Sequence, residues 1–219
     1  MKKAKILSGA LLLCFSSPLI SQAATLDVRG GYRSGSHAYE TRLKVSEGWQ
    51  NGWWASMESN TWNTIHDNKK ENAALNDVQV EVNYAIKLDD QWTVRPGMLT
   101  HFSSNGTRYG PYVKLSWDAT KDLNFGIRYR YDWKAYRQQD LSGDMSRDNV
   151  HRWDGYVTYH INSDFTFAWQ TTLYSKQNDY RYANHKKWAT ENAFVLQYHI
   201  TPDITPYIEY DYLDRQGVY

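Results

Sequence analysis

The chain has 219 residues, with 25 Lys and Arg against 24 Asp and Glu, and its single cysteine, Cys14, allows no disulfide within the chain. No block of like charge is present, so nucleic acid is not expected as a partner. Aromatic residues make up 16% of the chain although the mean hydropathy is only −0.74, which excludes a chain built from long apolar helices.

The first 23 residues have the pattern of an export signal. Lys2, Lys3 and Lys5 precede a mostly apolar stretch, residues 6–20, and Ser21-Gln22-Ala23 provides small residues at a cleavage site. The apolar stretch is too short for a membrane helix and is followed by that site. We therefore predict a secretory signal peptide over residues 1–23 and one β domain over residues 24–219, which contains no cysteine after cleavage.

Alternating side chains dominate the rest of the chain. In the segment Leu123–Trp133, every odd position is apolar or aromatic, and the even positions include Arg128, Arg130 and Asp132. Successive side chains of a β-strand point to opposite faces, so such a segment has one apolar and one charged face. No helical stripe is sustained anywhere after the signal. Eleven segments alternate in this way: residues 25–33, 38–47, 52–62, 75–88, 91–102, 107–118, 122–136, 150–161, 164–175, 188–200 and 203–215.

The connections between segments alternate in character. Tight polar turns precede Asp90, Asp122, Asp164 and Asp203, each of which opens an alternating run. The connections at the other ends are short in two cases (34–37 and 103–106) and long and charged in three (63–72, 137–149 and 176–187). Short turns on one edge and longer loops on the other are typical of an antiparallel up-and-down β-barrel in an outer membrane. Trp and Phe near many strand ends fit the aromatic girdles of such barrels.

Three positions make the strand registers uncertain. Trp53 and Trp54 are adjacent, so the alternation alone leaves open which of them faces outward. Pro111 and Pro206 lie inside predicted segments, where proline removes a ladder hydrogen bond. We expect a bulge near the barrel rim to accommodate each proline.

Alternate residues of a strand face the same side, and we call the side that a position faces its facing parity. This parity places many basic residues on the inner wall. Charges on the lipid side would cost roughly 2–4 kcal/mol each at mid-bilayer, so they are expected inside. In segments five to eight only Asp132 and Asp154 oppose them, whereas the other segments are mixed or lean acidic. This surplus favours a water-filled, anion-favouring pore over a salt-bridged plug. The predicted pore-lining residues are Arg29, Arg33, Arg42, Lys44, Arg95, Arg108, Lys114, Arg128, Arg130, Lys134 and Arg152.

Arg128 and Arg130 lie two residues apart on the same face near mid-strand. An arginine fork can hold a carboxylate in two hydrogen bonds, so the pair is a candidate track for a carboxylated solute. The competing interpretation is that Asp132 and Asp154 hold both arginines and that the four residues only brace the wall. The sequence leaves both interpretations open.

Other functions have weaker support. No Gly-x-Ser-x-Gly, His-Glu-x-x-His or Walker pattern is present, so an enzyme is the least favoured class, and a non-conducting anchor or adhesin is the main alternative to a channel. No cofactor or metal site is expected. Asp140, Asp144 and Asp148 lie in a polar loop and are predicted to be solvated.

Several stretches resemble the oligogalacturonate-specific porin family over essentially the whole chain. They are residues 24–33, the Trp-rich stretch 48–54, Arg128-Tyr129-Arg130-Tyr131 and Pro206-Tyr207-Ile208-Glu209-Tyr210. The resemblance implies a monomeric twelve-stranded barrel in outer-membrane lipid. It also implies passage of acidic sugars, here sialic acid, together with small anions.

The chain departs from that family at its C-terminal end. Family members end with a twelfth strand and a terminal aromatic residue, whereas this chain stops at Gly217-Val218-Tyr219. We therefore expect about eleven strands, with the last strand missing and the first and last edges unpaired. Unpaired edges in lipid leave backbone groups without hydrogen bonds.

Overall fold

The structure, a computed structural model, describes residues 24–33, 38–66, 69–70 and 74–214. The predicted signal peptide and the turn at residues 34–37 lie outside the described residues. Within those ranges the regular structure consists of β-strands. No helix in the described part is long and apolar enough to cross a membrane.

The described residues contain fifteen strands, of which eleven are long and four have only two residues. The two-residue strands are β4 (Lys69–Lys70), β6 (Ile86–Lys87), β10 (Gln138–Gln139) and β11 (Met145–Ser146). The long strands are β1 (Thr25–Arg33), β2 (Ala38–Gly48), β3 (Trp53–His66), β5 (Ala74–Tyr84), β7 (Trp92–Ser103), β8 (Gly106–Asp118), β9 (Leu123–Lys134), β12 (Val150–His160), β13 (Phe165–Lys176), β14 (Trp188–Tyr198) and β15 (Tyr207–Leu213).

The long strands form one antiparallel meander, in which each strand pairs with the next one along the chain. The order is β1-β2-β3-β5-β7-β8-β9-β12-β13-β14-β15. The predicted all-β, up-and-down architecture with eleven spanning segments is therefore confirmed. The strands β1 and β15 occupy the two edges and form no backbone ladder with each other in the described residues.

The sheet is inverted relative to a water-soluble sheet. Outward residues are apolar and exposed, including Ile127 at 57%, Val28 at 62% and Ile208 at 76%. Buried positions are mostly polar, and Asp132 and Asp154 are each only 1% exposed. Burial of charge together with exposure of large apolar side chains fits a wall with lipid outside and a polar lumen inside.

The structure resolves the uncertain registers. Trp53 is 47% exposed and lies against Tyr84 on the outward face, and Trp54 lies beneath the Lys44 ammonium on the inward face. The predicted bulge at Pro111 is wrong, because the β7–β8 register continues through it as Met98↔Pro111.

The second proline and the observed register shift complete this comparison. Pro206 precedes β15, which begins at Tyr207 rather than at residue 203, so this proline needs no place in a ladder. The register shift that the structure does contain lies between Asn60 and Thr61, where β3 pairs with β5. A bulge there re-aims β3 near its extracellular end.

Candidate functional site

The inner wall is the part of the molecule where charged side chains converge. The predicted basic residues other than Arg33 lie there on β1, β2, β7, β8, β9 and β12, at positions that alternate with exposed apolar residues. Arg33 ends β1, and its side chain lies outside the described part. The remaining predicted residues fall into two groups, because some contact carboxylates and others do not.

Asp154 is the centre of the largest charged cluster. Its carboxylate accepts a hydrogen bond from Arg128 Nε at 2.8 Å, one from Arg152 Nε at 2.7 Å and one from the Thr172 hydroxyl at 2.7 Å. The register places Arg128 opposite Asp154 and Asp154 opposite Thr172, so the ladder itself assembles these groups. Arg128 Nη1 also lies 3.7 Å from Glu81 Oε1 on β5.

Arg130 and Asp132 form a second buried ion pair. Nε of Arg130 lies 2.7 Å from Asp132 Oδ1, and its Nη2 donates to Oδ2 at 3.0 Å. Arg130 is 4% exposed, so this pair is withdrawn from the lumen. The bracing interpretation therefore describes the contacts of Arg128 and Arg130 better than the track interpretation does.

Three predicted cations contact no carboxylate of the described chain within ion-pair distance: Arg95, Arg108 and Lys114. Arg95 Nη1 donates to the Ser116 hydroxyl at 3.3 Å. The Lys114 ammonium lies 4.2 Å from the centre of the Tyr156 ring. Arg95 is opposite Lys114, and Lys114 is opposite Arg128. A row of cations therefore crosses β7, β8 and β9, formed by Arg95, Lys114 and Arg128.

Two inward tyrosines, which sequence reasoning missed, shape the wall around this row. The ring centres of Tyr112 and Tyr156 lie 5.2 and 5.6 Å from Cζ of Arg128. Tyr112 donates to Glu81 at 2.7 Å. Its ring covers Gly97, where an added Cβ would lie 2.3 Å from the ring. The signal that could have found both tyrosines is their shared facing parity with Lys114 and Arg128.

A separate group of charges joins the two edges of the sheet. Arg29 on β1 contacts Glu40 at 2.9 Å on β2 and Glu209 at 2.7 Å on β15. Arg42 Nη2 lies 3.0 Å from Asp27 Oδ2 and donates to the Tyr207 hydroxyl at 3.0 Å. These side-chain contacts therefore link the two edges of the sheet in the described residues. Lys44, also on the predicted list, lies 3.9 Å from Glu58.

At the extracellular end, a loop carboxylate neutralises two further cations. Asp148 Oδ2 lies 2.9 Å from Lys134 Nζ and 2.8 Å from Lys176 Nζ. Asp148 is 7% exposed, so the prediction that it is solvated is wrong. The loop residues 135–149 fold back onto the strand ends, which brings this carboxylate into the wall. Lys176 was absent from the predicted list although its parity is inward.

No group of three or more His, Cys, Asp or Glu side chains in the part that the structure covers could hold a metal ion.

An antiparallel sheet with an apolar exterior and a charged interior is typical of outer-membrane β-barrels, the class that includes the porins. The family model described as "Oligogalacturonate-specific porin protein (KdgM)" matches residues 17–218. The chain belongs to this family, as its sequence predicts.

The chain is 99% identical over 219 residues to the "N-acetylneuraminic acid outer membrane channel protein NanC" of Escherichia coli strain K12. The match covers 100% of this chain and 92% of that protein. The proteins of the same name from Escherichia coli O157:H7 and Shigella flexneri match equally well.

Two solved structures resemble the fold. "NanC porin structure in rhombohedral crystal form" has a TM-score of 0.82 and 93% identity, and the match covers 89% of this chain and 91% of that chain. "KdgM porin in complex with disordered oligogalacturonate" has a TM-score of 0.65 at 18% identity, covering 88% of this chain and 92% of the other. The second likeness shows the fold alone. The protein is therefore a porin-family channel of the outer membrane, and its relatives are named as channels rather than enzymes.

Proposed function

We propose that this chain passes N-acetylneuraminic acid, and small anions with it, through an anion-favouring pore. One relative at 99% identity carries the name of an N-acetylneuraminic acid channel. The single structural observation that supports the proposal is the row formed by Arg95, Lys114 and Arg128, in which two of the three cations contact no described carboxylate within ion-pair distance. We also propose that the channel acts as a single chain.

In this proposal the two groups of cations have different roles. Arg95, Lys114 and Arg108 attract the carboxylate of the sugar, because their charge is not neutralised by a bound side chain. Arg128, Arg130 and Arg152 hold the wall rigid through Asp132 and Asp154. Spaced and individually weak sites allow a solute to leave as readily as it enters.

Lys134 and Lys176 have an intermediate role at the extracellular mouth. Both ammonium groups share the single carboxylate of Asp148 at 2.9 and 2.8 Å. Two cations on one anion leave an excess positive charge that can draw anions toward the opening. Screening by salt should weaken this attraction more than it weakens sites deeper in the wall.

The test uses the variant Arg95→Gln with Lys114→Met in planar bilayers. We expect the reversal potential in a salt gradient to move toward zero, and N-acetylneuraminate to enter proteoliposomes more slowly. The control is Lys121→Gln, because Lys121 lies on the turn between β8 and β9 with its side chain 89% exposed. An unchanged reversal potential in a folded, conducting double variant would contradict the proposed roles. A folded wild-type protein that does not conduct would instead favour the anchor.

A further inference from the structure

Two loop cations at the extracellular rim lie on the outside of the wall rather than in the lumen. The Arg147 guanidinium lies 5.0 Å from the centre of the Trp133 ring, and the Lys186 ammonium lies 4.5 Å from the centre of the Trp188 ring. Both rings belong to the outward, lipid-facing series and are 36% and 46% exposed. The cations that cover these rings therefore lie at the boundary between lipid and water.

Hydrogen bonds hold the backbone of both residues in the loops. The Arg147 carbonyl accepts a hydrogen bond from Asn178 Nδ2 at 2.7 Å. Lys186 closes a tight turn in which its carbonyl accepts from the Tyr182 amide at 2.9 Å. His185 provides that turn with a left-handed backbone at φ 62°. Lys186 itself is exposed, so its ammonium reaches the Trp188 ring from a turn whose backbone is held by hydrogen bonds.

Neither cation has a carboxylate partner within ion-pair distance in the described part of the chain. Their neighbours in the same loop differ, because Arg181 and Lys187 lie 2.6 and 3.4 Å from Asp179. The Arg147 Nε atom is also buried without a hydrogen-bond partner. Asp179 therefore partly neutralises Arg181 and Lys187, whereas no described carboxylate lies within ion-pair distance of Arg147 or Lys186.

The strand registers set the spacing of the two tryptophans that the cations cover. Asp132, Val150 and Lys176 lie in one row, and Trp188 pairs with Ser175, so Trp133 lies one residue beyond this row toward the loops and Trp188 one residue before it. Trp133 is on β9 and Trp188 on β14, which are three strand positions apart. Three spacings of about 4.8 Å separate the rings by roughly 14 Å along the wall. Between them lie His151 and Trp153, both outward.

We propose that Arg147 and Lys186 bind the two phosphates of a phosphorylated glycolipid in the outer leaflet, the lipid A part of lipopolysaccharide. The extracellular rim meets that leaflet, and two separated cations complement a headgroup with two separated phosphates. The tryptophans beneath the cations, with Trp153 between them, provide an apolar surface for the acyl chains. This site is independent of solute passage, since it lies on the opposite face of the wall.

The test measures lipid adducts on the full-length folded protein by native mass spectrometry. The probes are bisphosphorylated lipid A, monophosphoryl lipid A, phosphatidylglycerol and inorganic phosphate. A cation near an anionic lipid surface contributes enough for about a fivefold change in binding. We expect Arg147→Gln or Lys186→Gln to weaken bisphosphorylated lipid A about fivefold and the double variant about 25-fold.

Two controls separate this site from general loop charge. Arg181→Gln removes a cation from the same loop, and we expect less than about a twofold change because Asp179 already neutralises that charge. The wild-type protein should bind monophosphoryl lipid A about fivefold more weakly than the bisphosphorylated form, a comparison that requires no variant to fold. Phosphatidylglycerol and inorganic phosphate should bind more weakly still.

Three results would each overturn the proposal. One is unchanged binding of bisphosphorylated lipid A to the folded double variant. Another is an equal loss in Arg181→Gln and Lys186→Gln. The third is wild-type protein that does not distinguish bisphosphorylated lipid A from monophosphoryl lipid A or from phosphatidylglycerol.

Discussion

At the scale of single residues, the inner wall contains two kinds of cation that have the same facing parity. Arg130 and Arg152 lie against buried carboxylates at 2.7 Å, whereas Arg95 donates only to a serine hydroxyl among the described contacts. Substitutions of the two kinds should have opposite signatures. Loss of a braced cation or its carboxylate should affect folding, and loss of an unbraced cation should affect the passage of ions.

Asp154→Asn should destabilise the barrel strongly. The substitution leaves Arg128 and Arg152 in the wall without the carboxylate that both contact, and breaking a buried pair costs about 3–5 kcal/mol. Urea unfolding in lipid vesicles, followed by the heat-dependent gel shift, measures the change. Asp122→Asn is the control, because the Asp122 side chain is 48% exposed on a turn and its loss should cost less than about 1 kcal/mol. Equal losses for the two variants would show that Asp154 has no special structural role.

Arg130→Glu should reduce folding, whereas Arg108→Glu should change ion selectivity. The first places a carboxylate beside Asp132 at a site that is 4% exposed, so we expect little folded protein. The second reverses a cation that contacts no described carboxylate within ion-pair distance, so the barrel should fold and its anion preference should fall. Folded yield and reversal potential are measured on both variants. If Arg130→Glu folds and its selectivity changes, Arg130 contacts the solute and does not only brace the wall.

At the scale of elements, the loops 135–149 and 177–187 form one hydrogen-bonded unit. The Leu141 amide donates to the Asp179 carbonyl at 3.0 Å, and the Tyr180 hydroxyl donates to the Gln138 carbonyl at 2.8 Å. Tyr180 is 6% exposed, so its hydroxyl is enclosed by both loops. Extracellular loops of this length need such internal contacts to keep a fixed shape above a sheet.

Tyr180→Phe should loosen this unit without unfolding the sheet. Loss of the hydroxyl leaves the Gln138 carbonyl without this donor, and an unsatisfied buried group costs about 1–3 kcal/mol. Hydrogen exchange at the Leu141 amide should accelerate, while amides in β13 stay protected. Tyr159→Phe, a 45% exposed outward position, should change neither rate. An unchanged exchange rate at Leu141 would show that the Tyr180 hydroxyl does not stabilise the two loops.

The Asp179 carboxyl should titrate at unusually low pH. Hydrogen bonds from Arg181 and Ser142 lower its pKa below the ordinary value of 3.8. Because the folded pKa is lowered, the loop contact is fully present above the ordinary pKa and is lost as the pH falls through the folded pKa. Carbon NMR of the labelled carboxyl measures this, and Arg181→Gln should return the pKa toward 3.8. A wild-type midpoint at or above 3.8 would contradict the contact.

At the scale of the whole molecule, the architecture could be predicted from the sequence because every strand of the wall has the same alternation of apolar and polar residues. Alternation predicts both the strand and its facing, so eleven segments and the inward position of residues such as Lys114 follow directly. Pairing of charges could not be predicted in the same way. It depends on registers such as Arg128↔Asp154 and on a loop that brings in Asp148, and neither is encoded in the local pattern.

The edge contacts of Arg29 have a mechanical consequence. The ten other interfaces between long strands are backbone ladders, in which sliding one strand along its neighbour would break many hydrogen bonds at once. Between β1 and β15 the described contacts are side-chain contacts, such as Arg29 with Glu209 at 2.7 Å. Flexible side chains can exchange partners one at a time. In the described residues the two edges are therefore joined by contacts that can break singly, whereas each ladder within the sheet breaks only as a unit.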